Sequence, residues 1–186
     1  MVYVFLAEGF EEIEALTPVD LLRRAGVETK LIAIGTSCEV KGARGMTVLS
    51  DALLGNVNID DADLLVLPGG MPGTLNLAAC EALMTKVDEY AASNDNNKRV
   101  AAICAAPAKT LGARGNLNGR KATCYPGMES ELIGATVVFD DVVTDGNITT
   151  SRGLGTAVEF ALELVKIKCG KDIADKIRTS VVADLK

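Results

Sequence analysis

The chain of 186 residues is 48% hydrophobic and carries 19 Lys and Arg against 25 Asp and Glu, for a formal charge of −6, and it contains no histidine. That is enough apolar material for one sizeable core, while the acidic balance, with no basic block, argues against nucleic acid or an anionic membrane as a partner. Without an imidazole, Ser-His-Asp and Cys-His catalysis, histidine-ligated zinc and a histidine pH switch are all excluded.

The first apolar run, Val2-Tyr3-Val4-Phe5-Leu6, reads as a strand. It is too short to span a membrane and has Glu8, Glu11 and Glu12 close behind rather than basic residues before it, so neither a signal peptide nor an anchor is expected. Residues 11–25 then carry Ala15, Val19 and Leu22 at i, i+4 and i+7, a helix closed by Gly26 as its C′ residue. Inside it Pro18 has no N–H for the carbonyl of Glu14, so that turn is expected to be loosened or kinked. A second strand over 29–34 leads to a hairpin over 39–49, and a third strand, 64–67, ends in Pro68-Gly69-Gly70. A helix over 81–92 places Leu83, Val87 and Tyr90 on one face, and the polar run 93–99 returns the chain to a buried strand over 100–103. Cys104 ends that strand, and Pro107 marks a helix start. Beyond lie a strand over 122–124, a strand pair about Asp145-Gly146, and a helix over 156–168 with Ala157, Phe160, Ala161 and Leu164 as its buried stripe. The alternation predicts an α/β fold with a largely parallel sheet. With no linker or repeat, residues 1–186 are read as one domain.

Five cysteines, Cys38, Cys80, Cys104, Cys124 and Cys169, are scattered with no C-x-x-C pair. Neither a zinc site nor a disulfide framework is expected, and a reducing cytoplasm is the simpler location. Asn147-Ile148-Thr149 fits a glycosylation sequon, which without an export signal is read as chance.

In open α/β sheets, ligands bind beyond the carboxyl ends of the strands. Four irregular segments take that position here: 7–14, Gly69-Gly70, Cys104-Ala105 and Tyr125-Pro126. Cys104, between a buried strand and a helix N-terminus, sits where unpaired amides and the helix dipole lower a thiol pKa; the alternative is a small buried hydrophobe, as for the other cysteines. Gly69 and Gly70 fit either a tight turn or an oxyanion site, with the amides of Gly70 and Ala105 aimed at one oxygen. Glu14, among Ile13, Ala15 and Leu16, is either a solvated first-turn acid or a buried carboxyl that keeps its proton and bonds a thiolate. The glycine pattern is neither a P-loop nor G-x-G-x-x-G, so no nucleotide site is expected, and Gly153-Leu154-Gly155 reads as a turn.

The stretch Ala7-Glu8-Gly9-Phe10-Glu11-Glu12-Ile13-Glu14, with Pro18-Val19-Asp20 and Arg23-Arg24-Ala25-Gly26 after it, resembles the ThiJ/PfpI superfamily and, within it, the branch of the parkinsonism-associated deglycase and chaperone. Leu67-Pro68-Gly69-Gly70, the run from Ala102 to Pro107 and the run from Thr150 to Thr156 resemble further motifs of that family, in order, across essentially the whole chain. The resemblance implies a flavodoxin-like three-layer sandwich of the class I glutamine amidotransferase-like type. It also implies a homodimer, no cofactor or metal, an oxidation-sensitive nucleophile at Cys104, a protonated Glu14 bonded to it, and backbone donors from Gly70 and Ala105. Arg24 and Arg44 resemble family arginines near the dimer interface and the site entrance, with Glu11 as a partner across that interface; Gly69 and Tyr125 line the site. Two departures stand out. Ala105 follows Cys104 where peptidase-like members carry histidine, which disfavours proteolysis. Tyr125 stands before Pro126 where the deglycase branch can carry histidine.

Two functions are carried forward. In one, a cytoplasmic protein acts on small reactive carbonyls or glycated proteins, in the manner of a glyoxalase or deglycase, through Cys104 and Glu14. In the other, oxidation of Cys104 regulates a redox sensor or chaperone without turnover.

Overall fold

The computed structural model describes residues 1–183. In chain order the elements are β1 (Val2–Leu6), α1 (Glu12–Arg24), β2 (Thr29–Ala33), β3 (Glu39–Lys41), β4 (Thr47–Leu49), β5 (Ala52–Leu53), β6 (Leu64–Leu67), α2 (Gly73–Ala79), α3 (Glu81–Ala92), β7 (Arg99–Ile103), β8 (Lys121–Ala122), β9 (Thr136–Val137), β10 (Val142–Asp145), β11 (Ile148–Ser151), α4 (Ala157–Cys169) and α5 (Lys171–Ser180). Seven strands form the central sheet in the order β10-β11-β7-β6-β1-β2-β5. Every pairing is parallel except the β10–β11 hairpin.

Strand side chains alternate between faces, so a strand covered on both sides must be apolar throughout. In β1, Val2, Val4 and Leu6 pack with Leu22 of α1, Phe160 of α4 and Ile177 of α5. Tyr3 and Phe5 point the other way, towards Leu77 of α2 and Leu83, Val87 and Tyr90 of α3. β6 and β7 split likewise: Leu64, Val66, Ala101 and Ile103 face the first layer, and Leu65, Leu67, Val100 and Ala102 the second. This is the three-layer sandwich that the family resemblance implies, built on the largely parallel sheet that the alternating runs predict.

Several local expectations are corrected. α2 and α5 were not anticipated: α2 has seven residues, and α5 follows α4 after Gly170 alone and buries only Ala174 and Ile177. α2 is too short to show a period, whereas α5 carries one, with Ile173, Ala174 and Ile177 on one face, beyond the last helix that was expected. The strand expected over 122–124 pairs at Lys121 and Ala122 with β9, in a separate two-stranded sheet. After Cys104 the expected helix is a six-residue π-helical stretch, Pro107–Gly112, with Pro107 in its first turn. α1 continues through Pro18 and ends at Ala25, with Gly26 at φ +77° in the left-handed region.

Asn147 is 8% exposed in the turn between β10 and β11. Its Nδ2 donates to the carbonyls of Tyr90 at 2.6 Å, Ser93 at 3.1 Å and Lys98 at 3.1 Å, tying the hairpin to the end of α3. Within the fold this amide is engaged, consistent with an unused sequon. Asn147→Asp turns the donor into a carboxylate facing carbonyl oxygens and is expected to destabilise the protein by about 3 kcal/mol or more, as for a buried unsatisfied polar group. A urea midpoint unchanged from wild type would contradict this assignment.

Candidate active site

The sheet order sets the ends of β11, β7, β6 and β1 side by side. The chain leaves them at Gly153, Cys104, Gly69 and the 7–14 segment that leads into α1. Cys104 turns off β7 with φ +66°, a conformation that costs a non-glycine residue on the order of 1–3 kcal/mol. Two backbone bonds hold it there: its N–H donates to Ser151 O at 3.0 Å, and its carbonyl accepts from Tyr125 N–H at 2.8 Å. A strained turn between strand and helix presents the side chain at the sheet's edge, as a nucleophile elbow does.

Glu14 arrives from the first turn of α1. Glu11 caps that helix, its Oε2 accepting the Glu14 N–H at 2.8 Å, while the Glu11 N–H donates to Gly69 O at 2.9 Å. The Glu14 side chain is 1% exposed. Its Oε2 accepts the Gly69 N–H at 3.0 Å, and the Leu154 amide and the Cys104 thiol also favour its charged form. The amides of Gly70 and Ala105 lie where they favour a negative charge on the sulfur. Glycine is required between the two acids: a Cβ on Gly69 would lie 2.5 Å from Glu14 Oε2 and 2.6 Å from Cys104 Cβ.

Burial raises the Glu14 carboxyl to about 7, against the lowering effect of its bonds to Cys104 and to the backbone amides. The thiol differs from the sequence-based expectation. Burial first, and then the charge of Glu14, push Cys104 up to about 12, because the amides of Ala105 and Gly70 do not outweigh them. Two acids in one dry site cannot both ionise readily, so the pair sheds one proton near neutrality and holds the second.

Tyr125 is 51% exposed and is anchored to Cys104 through its backbone. It reaches the site from the loop after β8, not from an end of the central sheet. Arg24 lies ten residues beyond Glu14 on α1, roughly 15 Å along the axis, with its Nε donating to Asp20 Oδ2 at 2.9 Å. Arg44 is exposed in the β3–β4 hairpin, its N–H donating to Glu12 Oε1 at 2.8 Å. Neither guanidinium is among the groups that bear on Glu14 or Cys104. What the turn assignment of Gly153-Leu154-Gly155 missed is that this segment lines the site: a Cβ on Gly153 would stand 3.9 Å from Cys104 Sγ. The available signal was its place at a strand end before a helix. Among the described residues no cluster of three His, Cys, Asp or Glu side chains is placed to hold a metal, and no helix is long and apolar enough to cross a membrane.

The model of the DJ-1/PfpI family matches residues 1–167. Protein DJ-1 homolog A of Arabidopsis thaliana is 40% identical over 173 residues, covering 93% of this chain but 43% of that protein, so the chain spans less than half of that curated relative. A protein of Pyrococcus abyssi named as a deglycase is 36% identical over 171 residues, which cover 89% of this chain and 98% of the relative. Among solved structures, oxidized Toxoplasma gondii DJ-1 superposes with a TM-score of 0.91 at 35% identity, over 97% of each chain.

The shared proton sets two expectations. The rate of Cys104 alkylation by iodoacetamide should rise through a step near pH 7 that belongs to the pair. In Glu14→Gln that step should vanish, leaving one titration above the ordinary thiol range, because burial remains. A step unchanged by Glu14→Gln would refute the coupling. Stability should follow the same proton: a carboxyl raised to about 7 on folding stabilises the fold fully below its unfolded pKa and loses that contribution as the pH rises through 7, by about 3 kcal/mol. Urea melts of wild type against Glu14→Gln, from pH 4 to 8, measure this, and parallel curves would count against it.

Proposed function

The chain belongs to the DJ-1/PfpI family, and from that premise we propose that it is a stress-response protein whose Cys104, together with Glu14, acts on small reactive carbonyls or on the glycation adducts they form on proteins. The observation that carries this is the thiol held in a strained turn beside a buried carboxyl, the two meeting across Gly69. The archaeal relative named as a deglycase supports the same chemistry.

With methylglyoxal the steps balance without an oxidant or reductant. The Cys104 sulfur, its proton passed to Glu14, adds to the aldehyde carbon, and the carbonyl pair moves onto oxygen, where the amides of Gly70 and Ala105 hold the charge. Glu14 returns the proton to that oxygen, giving a hemithioacetal. As a carboxylate it then takes the proton from the same carbon while the adjacent ketone becomes the enediol. A proton delivered to the second carbon, with loss of the first hydroxyl's proton, leaves the thioester of lactate. Water cleaves it, so methylglyoxal and one water give lactic acid and the free thiol. With no histidine in the chain, Glu14 carries every proton transfer at the sulfur.

In this proposal the protein works in the cytoplasm as a homodimer. Ile13 on α1 and Met46 and Leu49 of the hairpin are exposed apolar side chains available to a second copy. A second reading draws on the oxidized Toxoplasma gondii relative: Cys104 oxidised to the sulfinate, its oxygens met by the Gly70 and Ala105 amides and by Glu14.

Lactate formation from methylglyoxal should fall at least about 100-fold in Cys104→Ser, the scale expected on losing a nucleophile. Equal rates in the two proteins, or none in either, would sink the enzymatic reading. A gain of two oxygens on Cys104 after mild peroxide, seen by intact mass and peptide mapping, would then support the redox reading.

A further inference from the structure

The surroundings of the Cys104 sulfur are lopsided. On the Gly69 side the space is full, since a Cβ there would meet Cys104 Cβ at 2.6 Å and Sγ at 3.0 Å. On the Gly153 side it is not. The point where a Gly153 Cβ would stand has three nearest neighbours: Tyr125 Cδ2 at 3.5 Å, Glu14 Oε1 at 3.8 Å and Cys104 Sγ at 3.9 Å. Those are ordinary van der Waals separations, so the space itself takes one carbon, while the backbone of Gly153, at φ +159°, is one that side chains rarely adopt and strains an alanine there. With a hydrogen where other residues carry Cβ, Gly153 leaves a niche with room for a carbon beside an aromatic ring, the proton-carrying carboxyl and the nucleophile.

We infer that this niche seats the substrate atom three bonds from sulfur, and that residue 153 thereby sets which 2-oxoaldehydes the site accepts. This rests on the proposed carbonyl chemistry. When sulfur adds to the aldehyde carbon of methylglyoxal, the ketone carbon is two bonds away and its methyl group three, a non-bonded distance of the same scale as the gap between Sγ and the niche. Closed on the Gly69 side, the sulfur meets the carbonyl from the Gly153–Tyr125 side. There the methyl lies against the Tyr125 ring and leaves the proton on the attacked carbon within reach of Glu14. Glyoxal has only hydrogen at that place and leaves the niche unfilled.

Gly153→Ala fills the niche with protein. The preference for methylglyoxal over glyoxal in kcat/KM is expected to fall about 10-fold or more, the usual worth of one methyl group in an apolar pocket. A second measurement needs no turnover. Hydrogen peroxide places no third atom in the niche, whereas iodoacetamide brings its carboxamide there, so in Gly153→Ala the ratio of alkylation to peroxide oxidation at Cys104 should drop by a similar factor. Tyr125→Ala, which removes the ring wall, should raise the rate with N-phenyl iodoacetamide relative to iodoacetamide, and this decides the matter if Gly153→Ala fails to fold. Unchanged ratios, or a parallel loss with peroxide and iodoacetamide, would overturn the niche. Wild-type protein that turns over neither aldehyde would instead remove the carbonyl reading, while the alkylation ratios still decide whether Gly153 shapes access to the sulfur.

Discussion

Glu14 and Cys104 share a proton across a contact that leaves no room for a side chain at Gly69, and most features around them are explained by what it takes to keep two acids there. Burial alone would expel a charged carboxylate or thiolate. The amides of Gly69, Gly70, Ala105 and Leu154 surround the pair and let it hold one negative charge, while the proton that remains prevents a second. The donors come from three turns, Gly69 and Gly70 sharing one, so the electrostatics of the site depend on these turns and the start of α1 being brought together.

The parallel sheet is what assembles them. β11, β7, β6 and β1 are neighbours, and in a parallel sheet neighbouring strands end on the same side, so their turns converge without any one segment having to be long. The strain at Cys104 is sustained because β7 is fully buried over Val100–Ile103 and its turn is bonded on both sides, to Ser151 and to Tyr125. Glu11 links helix to site in a similar way: as the N-cap of α1 it holds the amide of Glu14, and through its own N–H it holds the carbonyl of Gly69. Core packing and site chemistry therefore share the same backbone.

The absence of histidine gains meaning in this setting. A thiol buried beside a carboxylate is harder to ionise, not easier, so the proposed reaction passes the proton within the pair instead of relying on a helix dipole. Tyr125 supplies shape, with its ring beside Gly153 and its backbone bonded to Cys104.

Much of the fold was legible in the sequence because strands buried on both faces must be continuously apolar, and Val2–Leu6, Leu64–Leu67 and the run ending at Ile103 are unmistakable on that ground. Cys104, Glu14 and Gly69 could be singled out as well, since residue type and position at a strand end already restrict their roles, and the family motifs ran through them. The seven residues of α2 are too few to show a period, whereas Ile173, Ala174 and Ile177 of α5 do carry one, beyond the last helix that was expected. The direction of the Cys104 shift was not legible: a sequence shows a thiol before a helix, but whether burial or backbone amides prevail depends on distances in three dimensions. Gly153 shows the boundary between the two most clearly. Its sequence context is that of an ordinary turn, and only the arrangement of β11 beside β7, with the Tyr125 loop folded against both, turns a missing Cβ into a carbon-sized space next to the sulfur.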